Sequence, residues 1–132
     1  MISRRKFIKL MGIVTTMFST VFSSIVRAAK LSISLDKLEQ LKKVDGWMVV
    51  KLQDKQFILI RDTETTVKVF DPACTHKKCV VAYNPKAKRM ECPCHGSVYN
   101  IEGKVLNGPA KNALQAYNAE LLDDKIIITV GE

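Results

Sequence analysis

Histidine is scarce in this chain of 132 residues, which contains only His76 and His95. Both lie in the short stretch, residues 74–95, that also holds all four cysteines of the chain. Because each histidine lies beside cysteines, none remains for a separate Ser/His/Asp arrangement, and we expect no independent hydrolase or transferase activity. Cysteine and histidine are the soft and borderline ligands of transition metals. Their clustering therefore predicts a metal centre or a set of disulfides.

Acidic residues are absent from the first 28 positions, which carry five basic ones: Arg4, Arg5, Lys6, Lys9 and Arg27. The whole chain has 21 basic and 13 acidic residues and a formal net charge of +8. From residue 29 onward, 16 basic residues face 13 acidic ones, which leaves +3. Most of the excess positive charge lies in the N-terminal segment, so we expect no nucleic-acid partner.

The N-terminal segment has the pattern of an export signal. Arg4 and Arg5 precede a Lys-Phe-Ile-Lys sequence and an apolar run over residues 10–26, which is typical of a twin-arginine signal. Seventeen helical residues rise about 25 Å, slightly less than a hydrocarbon core of ~30 Å. Residues 1–30 are thus predicted to be a signal that is cleaved near Ala28, or a hydrophobic helix that is kept as a short membrane anchor. In both cases the N-terminus stays in the cytoplasm.

Long amphipathic helices, internal repeats and low-complexity segments are also absent after residue 45. Before that point, Leu35, Leu38 and Leu41 predict a short helical turn or loop over residues 34–43. Short β-rich runs separated by turn residues follow at 47–52, 56–61, 65–70, 121–122 and 125–130. This pattern predicts an all-β sandwich or barrel.

Two loops within residues 72–110 carry the cysteines and histidines, in a region rich in Gly, Pro, Asn and Lys. Each loop offers one Cys and one His at close spacing, Cys74 with His76 and Cys92 with His95. A 2Fe–2S cluster with two Cys on one iron and two His on the other needs this two-by-two supply. Tetrahedral zinc is an alternative that leaves two thiols unexplained, and a domain with two disulfides leaves the histidines unexplained.

The motif pair CTHKKC at 74–79 and CPCHGS at 92–97 resembles the Rieske family, in the disulfide-containing branch of cytochrome bc complexes and small exported subunits. The resemblance covers about residues 47–130. It implies an antiparallel β-sandwich over residues 31–132, with a small two-loop subdomain at about 72–110 that binds a Rieske 2Fe–2S cluster. The implied ligands are Cys74 and Cys92 on one iron and His76 and His95 on the other.

Further positions match the family. The resemblance implies a disulfide between Cys79 and Cys94 that joins the two loops, which requires an oxidising compartment such as the export signal provides. Ser97 and Tyr99 correspond to hydroxyls that donate to a bridging sulfide and to a cluster-ligand sulfur, and such donors raise the reduction potential. A cluster-covering loop is implied at Gly108 and Pro109.

Three lysines depart from the family pattern. In quinol-oxidising members, Leu-Gly typically follows the first His and a second Pro follows in the covering loop, whereas this chain has Lys77, Lys78 and Lys111. Charged residues at the exposed end of the cluster-binding loops suit an acidic protein partner better than an apolar quinone pocket. We therefore predict that these lysines dock a redox partner.

The sequence as a whole predicts an exported one-electron carrier, periplasmic or on the outer face of the cytoplasmic membrane. It would pass electrons between a membrane or periplasmic oxidoreductase and a cytochrome-type acceptor. Its redox partner would be the large subunit of that oxidoreductase or a cytochrome c. The alternative is the iron–sulfur subunit of a quinol:cytochrome c oxidoreductase, a cytochrome bc complex, in which a cytochrome b presents the quinol. Either role is that of an electron-transfer subunit of an oxidoreductase.

Overall fold

The protein is described by a computed structural model over residues 28–75 and 77–131. The described part is nearly all β, with two short 3₁₀ helices, Leu35–Lys37 and Glu39–Lys42. Its ten strands are β1 Ala29–Ser34, β2 Trp47–Leu52, β3 Lys55–Arg61, β4 Val67–Phe70, β5 Ala82–Asn84, β6 Arg89–Glu91, β7 Val98–Asn100, β8 Val105–Asn107, β9 Ala116–Leu122 and β10 Lys125–Val130. This architecture confirms the predicted all-β, antiparallel class.

The larger sheet contains six antiparallel strands in the order β1-β10-β9-β4-β3-β2. β9 joins its two halves, because it pairs with β10 along most of its length and with β4 at Ala116 and Tyr117. In β10, Ile126, Ile128 and Val130 are buried and alternate with less buried residues, as a strand with one face on a core requires.

Strand β3 is buried on both faces, and this positions the site. Phe57 and Leu59 pack into the core of the larger sheet, together with Ile126 and Ile128. Ile58 and Ile60 lie on the opposite face, in a second core that also contains the two-loop region. A central strand covered on both sides shows a continuous apolar run instead of an alternation, as residues 57–60 do.

The smaller sheet contains β5, β6, β7 and β8, each of three residues. The central residues of the first three, Tyr83, Met90 and Tyr99, are direct cross-strand neighbours and are all buried. They pack with Ile58 and Ile60 in the second core. The sequence predicted only loops in this region, because a three-residue strand presents one buried side chain and leaves no readable alternation.

Most element predictions for the larger sheet are confirmed. The strands at 47–52 and 125–130 have the predicted bounds. Leu38, between the two 3₁₀ helices, and Leu41, within the second, are buried. The strand predicted at 65–70 begins at Val67 instead of Thr65. Thr65 and Thr66 belong to a turn, in which their backbone N–H groups donate to the Thr63 hydroxyl. Strand β1 and the first half of β9 were not predicted.

The N-terminal predictions fall mainly outside the described residues. The twin-arginine motif and the hydrophobic helix lie within residues 1–27, which the structure does not describe. Strand β1 begins at Ala29, inside the segment predicted to extend to residue 30. Within residues 28–75 and 77–131, no helix has the length and apolar character needed to cross a membrane.

Gly103 gives a test of how the two sheets are joined. It has a φ of +81°, and a Cβ there would lie 2.8 Å from Phe70 Cε1. We expect Gly103→Ala to lower the free energy of unfolding by about 2–5 kcal/mol, the sum of left-handed strain and overpacking. Gly96→Ala is the matched control, because Gly96 has a φ of +76° and open space around its Cβ position. Urea unfolding that shows equal losses for both variants would contradict the packing against Phe70.

Candidate metal centre

The two cysteine-containing loops have the same backbone hydrogen bonding. The Cys74 N–H donates to the Cys79 carbonyl at 2.7 Å, and the Cys74 carbonyl accepts from the Lys78 N–H at 2.7 Å. The Cys92 N–H likewise donates to the carbonyl five residues further on, at 2.8 Å, and its own carbonyl accepts from the Gly96 N–H at 3.1 Å. Lys78 and Gly96 occupy equivalent positions and both have positive φ. The loops are thus structural duplicates that begin at Cys74 and Cys92.

The sulfur atoms of Cys74 and Cys92 are buried at these equivalent positions. The two side chains are 1% and 3% exposed, and neither belongs to the disulfide. They lie in the second core, with Met90 and Tyr99 among their neighbours. Each loop thus has one buried cysteine outside the disulfide, at the position of a predicted ligand.

A disulfide between Cys79 and Cys94 joins the loops, and this is the pairing that the resemblance implied. Cys94 is exposed and Cys79 is partly buried. The Sγ atoms of Cys79, Cys92 and Cys94 all lie within 4.8 Å of one another. Because two of these three sulfurs are bonded to each other, they cannot act as thiolates, and the three together are not a metal site.

The predicted histidine ligands are only partly within the described residues. His95 lies in the second loop and is exposed. His76 lies outside the described residues, so its position relative to Cys74 and His95 stays a prediction. The structure therefore places three of the four predicted ligands in the two duplicate loops.

The Tyr99 hydroxyl connects the first loop to the small sheet. It lies 3.2 Å from the Cys74 Sγ, accepts from the Thr75 N–H at 3.2 Å, and lies 3.1 Å from the Thr75 Oγ1. Thr75 donates its own hydroxyl hydrogen to the Asn112 carbonyl at 2.7 Å. The Tyr99 hydrogen is consequently left for the Cys74 sulfur or the Thr75 oxygen.

The ionisation state of Tyr99 supports this donor role. Burial raises the pKa of the Tyr99 phenol above its ordinary value, and the contact with the Cys74 sulfur raises it further. The hydroxyl therefore keeps its hydrogen at neutral pH. The contribution of Thr75 and Asn112 was not predicted, because no sequence pattern links residues 37 positions apart.

Ser97 ties the second loop to the predicted covering loop. It is fully buried, and its Oγ accepts from the Ala110 N–H at 3.0 Å. Ala110 follows Gly108 and Pro109, which are exposed and joined by a cis peptide bond. Since Ser97 acts here as an acceptor, its own hydrogen is left to be donated, and the predicted bond to a bridging sulfide stays a prediction.

The exposed surface of these loops is basic. Lys77, Lys78 and Lys111 are all exposed, as is His95. Residues 72–81, 92–97 and 108–115 contain no Asp or Glu. The bond from Thr75 to the Asn112 carbonyl brings the third segment beside the first, and we name the three exposed lysines of these two segments the lysine tip.

The donor set fits an iron–sulfur cluster. It combines two buried cysteine sulfurs, a protonated phenol beside one of them and a buried serine hydroxyl, with an exposed histidine at the edge. Hydroxyl donors next to thiolate ligands stabilise negative charge on sulfur and tune a redox centre.

Comparison with known proteins agrees with this geometry. The family model described as "Rieske [2Fe-2S] domain" matches residues 33–118. The cytochrome b6-f complex iron-sulfur subunit of Gloeobacter violaceus is 41% identical over 76 residues, which is 57% of this chain and 41% of that protein. That of a Desmonostoc species is 36% identical over 100 residues, 74% of this chain and 56% of that protein. The chain thus spans about half the length of these curated relatives.

Solved structures show the same fold. The cyanobacterial plasma membrane Rieske protein from Synechocystis superposes with a TM-score of 0.60 at 22% identity, over 74% of this chain and 97% of that one. The ferredoxin of carbazole 1,9a-dioxygenase from Nocardioides aromaticivorans superposes with a TM-score of 0.60 at 19% identity, over 80% and 96% of the two chains. At these identities the likeness concerns the fold alone.

Ser97→Ala tests the link between the second cysteine loop and the predicted covering loop. The variant leaves the buried Ala110 N–H without its acceptor, so we expect a loss of about 1–3 kcal/mol in the free energy of unfolding. We also expect faster hydrogen–deuterium exchange, measured by mass spectrometry, in peptides that cover residues 105–114. Ser32→Ala makes the same chemical change at an exposed position of β1 and should alter neither quantity. Unchanged exchange in the Ser97 variant would show that this bond does not hold the third loop.

Proposed function

This chain belongs to the Rieske [2Fe-2S] domain family, and we propose that it works as an exported one-electron carrier. The observation that carries the proposal is the pair of buried cysteine sulfurs at equivalent positions of two duplicate loops. In this proposal Cys74 and Cys92 hold one iron of the 2Fe–2S cluster, and His76 and His95 hold the other.

The cluster would supply a reversible one-electron couple, and two histidine ligands place such couples at about −150 to +300 mV. The chain's own hydroxyls favour the upper part of that range. Tyr99 keeps its hydrogen and lies 3.2 Å from the Cys74 sulfur, where a donor stabilises added negative charge. Ser97 is the second tuning residue, through the hydrogen that it does not use in its bond with Ala110.

The covering loop, within residues 108–115, would keep water away from the ligands. It is held at two points, by Ser97 at Ala110 and by Thr75 at the Asn112 carbonyl. Gly108 and Pro109 lie next to the first of these points and would cover the cluster from that side. A low-dielectric surround of this kind strengthens the hydroxyl contacts and helps to set the potential.

The lysine tip would dock the redox partner. Lys78 has a φ of +56°, a conformation that costs a non-glycine residue roughly 1–2 kcal/mol, whereas the equivalent position of the second loop is Gly96. Lys78 therefore provides a positive charge at this position at the cost of left-handed backbone strain, which a glycine would avoid. His95 is exposed in the same group of loops, so a partner on the lysine tip would contact the exposed edge of the site.

The partner that fits this surface is acidic. Three exposed lysines on segments that contain no Asp or Glu attract negative charge and speed encounter with an acidic protein. We propose a cytochrome-type acceptor of net negative charge, or the large subunit of a membrane or periplasmic oxidoreductase.

The proposed location is the periplasm or the outer face of the cytoplasmic membrane. The disulfide supports an oxidising compartment, and the sequence of residues 1–30 supports twin-arginine export. Residues 31–132 would then be the exported domain. Cleavage after Ala28 would leave β1 complete, since this strand begins at Ala29.

A second candidate function is the iron–sulfur subunit of a quinol:cytochrome c oxidoreductase. It is favoured by the 36–41% identity to cytochrome b6-f complex iron-sulfur subunits. The lysine tip opposes it, because an apolar quinone pocket does not suit charge. An uncleaved chain that co-purifies with a cytochrome b from its own membranes would establish this role.

Electron transfer from the reduced protein tests the carrier function and the docking surface together. Mixed in a stopped-flow instrument with an oxidised c-type cytochrome of net negative charge, it should deliver one electron per chain and slow as salt is added. We expect Lys78→Gly to lower the rate about fivefold at low salt, since one surface charge pair contributes about 1 kcal/mol. The same variant should unfold at a higher urea concentration because it relieves the left-handed strain.

Lys86→Gly is the matched control. It removes the same charge from the exposed turn between β5 and β6, at the end of that hairpin opposite to both cysteine loops. A lack of electron delivery by the wild type would refute the carrier function. Equal slowing by the two glycine variants would leave the carrier function intact and refute docking at the lysine tip.

A further inference from the structure

The two cysteine loops begin differently, although their internal hydrogen bonding is the same. Glu91, the residue before the cysteine that opens the second loop, lies in β6 and pairs with a neighbouring strand on each side. Ala73, the residue before the cysteine that opens the first loop, lies outside the ten strands, and its pairing is an isolated bridge to Val80. The sheet that fixes the start of the second loop therefore does not fix the start of the first.

The Asp71 side chain supports the first loop at this point. Its Oδ1 accepts a hydrogen bond from the Ala73 N–H at 2.9 Å. A bond from an Asp side chain to the N–H two residues on forms an Asx turn. Pro72 lies between the two residues and favours the turn, because proline has a fixed φ and restricts the preceding residue to extended backbone. The carboxylate thus directs the chain into Cys74.

Asp71 also joins the first loop to the end of the covering loop. Its backbone N–H donates to the Gln115 carbonyl at 2.8 Å. Four residues later, the Thr75 hydroxyl donates to the Asn112 carbonyl at 2.7 Å. The two segments therefore run antiparallel and are tied at two points, with Cys74 between the ties. A change at Asp71 acts on one of these ties and on the Asx turn at once.

We propose that Asp71 is a positioning residue, whose carboxylate holds the first loop so that the Cys74 sulfur stays beside the Tyr99 hydroxyl. These two atoms lie 3.2 Å apart. The proposal rests on the proposed function in one respect, because only a cluster on Cys74 converts this position into a reduction potential. It goes beyond that function by assigning a role to a residue that is neither a predicted ligand nor one of the tuning hydroxyls.

Charge and position can be separated at this residue. Asp71→Asn keeps a side-chain carbonyl that accepts from the Ala73 N–H and removes the charge, whereas Asp71→Ala removes both. Asp54→Ala is the matched control. Asp54 lies in the exposed turn between β2 and β3 and lines the same open cavity of about 470 Å³ as Asp71. The control therefore removes a carboxylate from the same cavity without removing the Asx turn.

Amide hydrogen exchange of the full chain tests the hold on the loop. We expect Asp71→Ala to speed exchange of the Ala73 amide at least about tenfold, since its N–H loses a charged acceptor. Asp71→Asn should stay within about threefold of the wild type, and Asp54→Ala should not change this rate. Equal exchange in the alanine and asparagine variants of Asp71 would overturn the proposal. If Asp71→Ala does not fold, an unprotected Ala73 amide in the wild type would overturn it equally.

A redox titration of protein with two irons and two sulfides per chain tests the consequence for Cys74. Removal of a negative charge favours the reduced state, so Asp71→Asn should titrate at or above the wild-type potential. Asp71→Ala makes the same charge change but should hold its electron at least about threefold less tightly than Asp71→Asn, because Cys74 moves away from the Tyr99 donor. Equal midpoints for the two variants would overturn the proposal. Protein without iron would refute the proposed function, whereas the exchange experiment would still test Asp71.

Discussion

The duplicate hydrogen bonding of the two cysteine loops is the constraint on which the site depends. Each loop is closed by a bond from its first cysteine N–H to a carbonyl five residues on, and the equivalent residues Lys78 and Gly96 both have positive φ. This geometry presents Cys74 and Cys92 at matching positions. The second core beneath them, with Ile58 and Ile60 of β3, connects both loops to the larger sheet. A rigid base and two short loops thus give precise placement with few residues.

Hydroxyl groups join these loops to the rest of the molecule and to a third loop. Tyr99 reaches Cys74 and Thr75, Thr75 reaches Asn112, and Ser97 reaches Ala110. The Tyr99 hydroxyl also lies 3.2 Å from the Cys74 sulfur, so in the proposed function one contact that stiffens the site would tune charge on that sulfur. The disulfide between Cys79 and Cys94 adds a covalent link on the exposed side.

The sequence predicted the two cysteine loops and their disulfide better than the small sheet beneath them. Ligand spacing is local, so the motif pair identified the loops, and the disulfide between Cys79 and Cys94 is present. Strands β2 and β10 were readable because six residues show a clear apolar pattern. Strands β5 to β8 were not, since Tyr83, Met90 and Tyr99 each provide one buried residue in a strand of three. The roles of Thr75 and Asn112 depend on tertiary contact alone. The placement of His76 stays a prediction, as it lies outside the described residues.

The central claim is that Cys74, His76, Cys92 and His95 hold a 2Fe–2S cluster, and electron paramagnetic resonance of the dithionite-reduced, purified protein tests it most directly. The account predicts the rhombic signal of a mixed Cys/His cluster, with two irons and two sulfides per chain. No signal, together with one zinc per chain by elemental analysis, would contradict it and would make this an exported structural zinc domain with no role in electron transfer.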